Sequence, residues 1–270
     1  GPRQPRHAPS GSPATTSATP RGPGGDPDGR GSPWACAALT AGIAAGVAAG
    51  LAAGGARGAA SRRRGSPRAS SALSRSANPT ATCVTTVGDF QLEIFLDEMP
   101  ITASNFIDLI SRGFYDGIHV HRVIPGFVCQ VGCPFAKDPF SRKAGMGGPL
   151  RNTKFRVLDG SSRAIIRSRH GNIPDEFTKM IDNDRGTLSM ANVGRPDSGG
   201  SQFFINLNKN SYLNWFDDKT PSKHPVFAKV VDGFDVVLRI ARSERDGRDR
   251  PLTPIRLISV SMDEDLLGLR

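Results

Sequence analysis

Two hundred and seventy residues, with 35 basic and 25 acidic side chains and only four cysteines, allow one or two domains and exclude a disulfide-held scaffold. The net charge of +10 is not that of a nucleic-acid-binding domain, because it collects at one end. Residues 1–80 hold ten arginines, no lysine and two acids, Asp26 and Asp28, whereas the other 190 residues hold 25 basic and 23 acidic groups.

Residues 1–33 are mostly Pro, Gly, Ser, Thr and Arg with little to bury, a composition expected to be disordered. No charge then falls between Gly31 and Ala56. The apolar stretch 34–56 is long enough for a membrane-spanning helix, which needs about 20 residues. Gly42, Gly46, Gly50 and Gly54 recur every fourth position, a ridge on which a second helix can approach closely. In water each would cost a helix roughly 1 kcal/mol against alanine, so the stretch reads as either a span or an Ala/Gly-rich linker.

Six arginines follow among Ser and Ala, from Arg57 to Arg75, and no acid occurs between Asp28 and Asp89. An Arg- and Ser-rich, acid-poor leader is similar to an organelle transit peptide. A hydrophobic segment between two such stretches resembles the multi-part presequences of plastid proteins. The expectation is a leader over 1–80 and a plastid location, in the stroma or thylakoid-associated, membrane-anchored if 34–56 is kept. A mitochondrion or the secretory pathway is the alternative.

A globular domain is expected over 81–265. Phe90, Leu92, Ile94 and Leu96 alternate with Gln91, Glu93 and Phe95 as in a half-buried strand, preceded by Val84–Val87 across a Gly88-Asp89 turn. Pro100 opens a helix with Ala103, Phe106, Ile107 and Ile110 on one stripe, closed by Gly113. Short apolar runs follow at 118–124, 127–131, 187–191, 202–206 and 226–231. A second helix carries Phe234, Val237, Leu238 and Ala241, and a last strand spans 255–260. Many short strands with two helices predict a mostly-β fold, a closed eight-stranded antiparallel barrel capped by two α-helices. The stretch from Cys133 to Phe177 lacks periodicity and reads as a functional loop.

Three segments carry a resemblance. His121-Arg-Val-Ile-Pro-Gly-Phe-Val-Cys-Gln130, Leu188-Ser-Met-Ala-Asn192 with Gly199-Gly-Ser-Gln-Phe-Phe-Ile205, and Lys223-His-Pro-Val-Phe227 are similar to the signature blocks of the cyclophilins, the cyclosporin-binding peptidyl-prolyl cis-trans isomerases. The likeness covers residues 82–262. It implies a proline-binding groove on the outside of the barrel, with Arg122 as the catalytic arginine and Phe127, Phe204 and Leu213 as the proline pocket. It also implies that Gln130, Gln202, Ala191 and Asn192 hold the peptide backbone and that His224 stands at the pocket edge. Tyr212 falls where many members carry a tryptophan that contacts cyclosporin, which weakens the expectation of drug binding. Val128 replaces a methionine, and Cys133 stands where an acid is common.

The residue types suit that chemistry. Rotation about an X-Pro bond needs neither nucleophile, metal nor cofactor; it needs a donor for the nitrogen of the twisted amide and a dry clamp for the ring. Arg122 is a permanently charged donor, and strand parity places Gln202 and Phe204 on one face with Phe203 and Ile205 on the other. The alternative from another class is a cyclophilin-like docking subunit of a membrane complex with little activity.

His119, His121, Cys129 and Cys133 lie close enough to raise zinc, but their spacing is not that of a zinc site. Gly194 to Gly200 is glycine-rich without a following Gly-Lys-Ser/Thr. Arg151, Lys154, Arg156, Arg163, Arg167 and Arg169 face a single acid, Asp159, within 151–170. That segment reads as a solvated loop or as a basic flap beside the groove, suited to acidic partners or anionic membrane surfaces.

Overall fold

The computed structural model describes Gly1 and residues 78–263. The leader and its candidate span at 34–56 lie outside the described residues. Among the described residues no helix is long and apolar enough to cross a membrane.

The fold is mostly β. Its strands are β1 (Thr80–Thr85), β2 (Gly88–Ile94), β3 (Arg122–Ile124), β4 (Val128–Val131), β5 (Lys154–Arg156), β6 (Ala164–Ile166), β7 (Thr187–Met190), β8 (Phe203–Asn206), β9 (Val226–Asp232) and β10 (Leu257–Met262). Helices α1 (Pro100–Ser111) and α2 (Phe234–Ala241) interrupt them. Eight strands form one antiparallel sheet in the order β10-β1-β2-β9-β7-β8-β4-β3, and β5-β6 is a separate hairpin.

The expected closure into a barrel is incomplete, and β10 and β3 are the two ends of the sheet. Pro125-Gly126 stops β3 after three residues, since proline has no N–H for a ladder. Upstream, the run 118–121 was expected to be strand. It makes one isolated bridge to the other end of the sheet, His119 to Arg256, beside bonds from Val120 N–H to Ile255 C=O (2.9 Å) and Leu257 N–H to Ile118 C=O (2.8 Å).

The first hairpin turns at Thr86-Val87 rather than at Gly88-Asp89, because Thr85 pairs with Gly88. The Thr85 hydroxyl accepts from Val87 N–H and donates to the Gly88 carbonyl, closing the turn. In α1 the expected stripe is buried, and its ring Phe106 meets Tyr115, Phe203 and Phe227 at 5.2–5.4 Å. No side chain at Met99 caps this helix. The buried Glu176 does so from 75 residues away, accepting from Ile101 N–H (2.8 Å) and Thr102 N–H (2.7 Å). In α2 the buried face is Val236, Val237, Ile240 and Ala241, rotated from the expected stripe.

The stretch 133–177 is built rather than loose. Its hairpin is held on α1 by Arg167, whose residue is only 1% exposed. That guanidinium donates to Asp108 (2.7 Å), Asn105 Oδ1 (2.9 Å) and Thr153 Oγ1 (3.1 Å), and lies 4.8 Å from the Phe155 ring centroid. Arg167 therefore does not belong to an exposed basic flap. A charge buried this deeply can only be tolerated paired.

Candidate active site

Alternation along β3, β4, β7 and β8 sorts the side chains into two faces. Val123, Cys129, Val131, Leu188, Met190, Phe203 and Ile205 enter the main core. On the other face Arg122 pairs with Gln130, and Gln130 with Phe204, in one cross-strand row. Val128, Ala191, Phe204 and Leu213 form a second, separate apolar cluster there, with Phe127 packed against it. The expected pocket residues Phe127, Phe204 and Leu213 are thus brought together, with Ala191 beside them.

Polar groups line this notch on the β3 side. Arg122 Nη1 donates to Gln130 Oε1 (3.4 Å), Gln130 Nε2 to Gln202 Oε1 (3.1 Å), and Gln202 Nε2 to the carbonyls of Gly145 (2.9 Å) and Gly147 (2.7 Å). The half-buried guanidinium has no other hydrogen-bond partner among the described residues, so most of its N–H groups are unengaged within the protein. Gln202 is buried with both N–H groups in use, so it positions Gln130 and the 145–147 segment instead of reaching a ligand itself. Asn192 is partly engaged: its amide donates to Lys223 C=O (2.6 Å) and accepts from Gly194 N–H (3.0 Å). What Asn192 offers a ligand is its main chain and the second amide N–H.

On the opposite wall His224 meets Phe204 edge-on at 5.2 Å, and its Nδ1–H donates to Met190 C=O (3.0 Å). Burial pushes the His224 pKa down, so the ring is neutral at pH 7 and presents Nε2 as an acceptor. Tyr212 is 49% exposed and stacks on Phe127 with centroids 6.0 Å apart.

Sequence reasoning missed a buried asparagine network behind the notch. Asn210 Nδ2 donates to Phe127 C=O (3.1 Å) and Asn206 Oδ1 (2.8 Å). Asn206 Nδ2 reaches Thr187 Oγ1 (3.0 Å) and Asn183 Oδ1 (3.3 Å), and Asn183 Nδ2 donates to His224 C=O (3.1 Å). The two walls of the notch are thereby tied to one hydrogen-bonded core. The visible signal was the four-residue spacing of Asn206, Asn210 and Asn214 after an apolar strand.

The four zinc candidates do not converge, and among the described residues no three metal-ligating side chains do. His119 Nδ1 bonds the Ala136 carbonyl (2.9 Å), Cys129 lies in the main core, and Cys133 Sγ accepts from Gly147 N–H (3.3 Å). His121 is buried with neither ring nitrogen bonded, and burial, with the charges of Arg122 and Arg250 nearby, pushes its pKa down to about 4.

That depression predicts an acid limit. Unfolded, His121 takes up a proton near pH 6.5; folded, it resists until about 4. Its contribution to stability, and that of His224, is complete above the unfolded value and is lost as pH falls from 6.5 through the folded values. Urea midpoints measured from pH 7 to 4 should decline, and His121→Gln should flatten that decline.

The model of the family described as cyclophilin type peptidyl-prolyl cis-trans isomerase/CLD matches residues 81–262. The Arabidopsis thaliana peptidyl-prolyl cis-trans isomerase CYP18-1 is 36% identical over 191 residues, 70% of this chain and 99% of that protein. An Acinetobacter baylyi peptidyl-prolyl cis-trans isomerase is 31% identical over 190 residues, 69% of this chain and 86% of that protein. Other relatives are far longer: the match spans 27% of Rhizopus delemar cyp15 and 23% of Arabidopsis thaliana CYP71. Among solved structures, a Cryptosporidium parvum cyclophilin type peptidyl-prolyl cis-trans isomerase aligns with TM-score 0.54 and 26% identity, over 69% of this chain and 98% of its own. The same protein has been solved in the presence of the dipeptide Ala-Pro.

Proposed function

The chain belongs to the cyclophilin-type peptidyl-prolyl cis-trans isomerases, and on that premise we propose that its notch binds proline-containing peptides and unfolded proteins and catalyses rotation about the X-Pro bond. The observation that carries this reading is the row Arg122-Gln130-Phe204 running into the second apolar cluster. Amide resonance opposes rotation by roughly 18–20 kcal/mol, although cis and trans X-Pro differ by only about 0.5–1 kcal/mol. The catalyst must therefore favour the twisted amide, whose nitrogen carries a pyramidal lone pair.

Arg122 supplies that nitrogen with a hydrogen bond from a rigid, permanently charged fork. Phe127, Phe204, Leu213 and the neutral His224 enclose the proline ring and exclude water, which strengthens the donor. Gln130, the Ala191 carbonyl and the main chain at Asn192 hold the flanking peptide, so one side of the bond turns against a fixed other side, the Ala191 N–H being spent on Gln202 C=O. Rotation makes and breaks no covalent bond, so it calls for no cofactor. The Ala-Pro dipeptide used with the Cryptosporidium parvum relative is of the ligand class this reading requires.

The test is whether the full chain, in substoichiometric amount, accelerates cis/trans relaxation of an X-Pro peptide after a solvent jump. Acceleration is expected. Peptide binding without acceleration would move the protein to the docking reading.

Asn210 is a positioning residue in this scheme, acting through Phe127. Asn210→Ala should lower kcat/KM about tenfold, since small misplacements of a clamp are costly. In a Phe127→Ala background the same change should cost little. Equal losses in both backgrounds would mean a general effect on stability.

We further propose that residues 1–80 deliver the domain to a plastid and that 34–56, if retained, attaches it to a membrane. The leader's composition supports this; sequencing the mature N-terminus of protein isolated from the organelle tests it. Cyclosporin should bind weakly, because Tyr212 offers less apolar area than tryptophan, and Tyr212→Trp should tighten inhibition.

A further inference from the structure

The insertion between β4 and β7 has properties the rotation chemistry does not use. Between 134 and 170 the chain holds nine basic residues against Asp138 and Asp159, while the other described residues hold 15 basic and 19 acidic. Positive charge is therefore segregated onto one segment of an otherwise slightly acidic domain. Arg167 is buried on Asp108, and Arg163 pairs with Asp159 (3.3 Å). Lys137, Arg142, Lys143, Arg151, Lys154, Arg156 and Arg169 are exposed, and none has a carboxylate partner among the described residues.

Large apolar side chains are exposed in the same segment. Leu150 is 76% exposed, and Ile166, 64% exposed, lies directly opposite Lys154 on the outer face of the β5-β6 hairpin. Arg156 shares that face by strand parity, while Phe155 is buried beneath it.

The segment also starts at the notch. Gly145 and Gly147 are bonded to Gln202, and Ile173 N–H bonds Gly199 C=O (2.9 Å). The insertion's two stems, Pro149 and Gly171, pack on Gly200: a Cβ there would fall 3.1 Å from Pro149 Cδ and 3.3 Å from the Gly171 carbonyl. Gly200 is two residues from Gln202 and four from Phe204. The hairpin is fixed to α1 by Arg167, so the backbone that carries this cationic and apolar face is in place before binding.

We propose that the insertion is an accessory docking track for acidic, apolar-spaced client segments, so that the protein selects X-Pro bonds flanked by acidic residues. This deepens the isomerase reading and rests on it. The occupant is acidic because only negative charge complements seven unpaired cations, and polypeptide because the segment adjoins the notch, with Gly145 and Gly147 bonded to Gln202. The leader, with its ten arginines against two acids, has the wrong sign to lie there.

Two peptides with one X-Pro core separate the possibilities. One is a tetrapeptide that fills only the notch; the other extends by about ten residues rich in Glu and Leu, long enough at ~3.3 Å per residue to reach the hairpin. In the full chain, Arg151→Gln/Lys154→Gln/Arg156→Gln removes three exposed charges with no buried partner. At low salt kcat/KM for the long peptide should fall about tenfold while that for the tetrapeptide stays within about twofold, and high salt should erase the difference. Equal loss on both peptides, or no loss on either, overturns the proposal. So does weaker binding of the variant to phosphatidylcholine–phosphatidylglycerol vesicles with the long peptide unaffected. If the wild-type chain turns over neither peptide, the isomerase reading fails, and the track is judged separately by fluorescence anisotropy. Weaker binding of the labelled long peptide to the variant would uphold it, and equal binding would overturn it.

Discussion

Arg122→Ala should lower kcat/KM for an X-Pro peptide by about a hundred- to a thousandfold, the range seen when one preorganised donor is removed from a transition state. Peptide affinity should change far less, because the apolar cluster of Val128, Ala191, Phe204 and Leu213 with Phe127 remains to hold the ring. Stability should stay within about 0.5 kcal/mol, as for most surface substitutions. The guanidinium is half-buried and makes a single long bond, 3.4 Å to Gln130. Arg122→Lys should recover only part of the rate, since an ammonium is a point charge without the fixed fork. Relaxation kinetics give the rate and calorimetric titration the affinity. Equal losses in rate and affinity would mean that Arg122 binds the ground state.

Arg167→Ala should be strongly destabilising, at about 3 kcal/mol by urea unfolding. The substitution takes donors from Asp108, Asn105 and Thr153 and a cation from the face of Phe155. Asp108 keeps Arg112 (3.0 Å), which places the loss at the lower end of the range for breaking a buried pair. Arg167→Met combined with Asp108→Leu should recover much of it, because apolar groups of similar volume replace a buried ion pair well. The folded fraction of Arg167→Ala should still turn over the tetrapeptide, since Arg167 touches nothing in the notch. A stability change within about 0.5 kcal/mol would contradict the account of how the insertion is held.

Much of the site was legible because strand parity is a local rule. Gln202 and Phe204 differ by two positions and must share a face, and Phe203 and Ile205 must share the core. The helix at Pro100 was likewise written in its stripe and its proline. What stayed hidden depends on partners distant in sequence. Glu176 caps α1 across 75 residues, and Arg167 reaches Asp108 across 59, so a basic count over 151–170 could not separate a buried arginine from exposed ones. The hairpin turn was misplaced for a related reason. Gly88 does adopt φ +122°, but as the first residue of β2, packed where a Cβ would meet Val236 at 3.1 Å. Incomplete closure of the sheet was also unreadable, because the apolar run 118–121 looks like strand whether it pairs at four positions or one.

Chemistry confined each side chain more than its type suggested. Gln202 and Asn192 were both expected to hold peptide backbone; Gln202 has both amide N–H groups committed within the protein, whereas Asn192 keeps one of its two. Residue identity marks a place in a notch; only the hydrogen-bond partners show whether the group reaches outward or braces a neighbour that does.

The most direct test of the central claim is a structure of the chain with a bound X-Pro peptide. The account predicts the proline ring between Phe127, Phe204 and Leu213, with an Arg122 N–H within about 3 Å of the prolyl nitrogen. A proline seated elsewhere, or an Arg122 guanidinium beyond hydrogen-bond reach of that nitrogen, would contradict it.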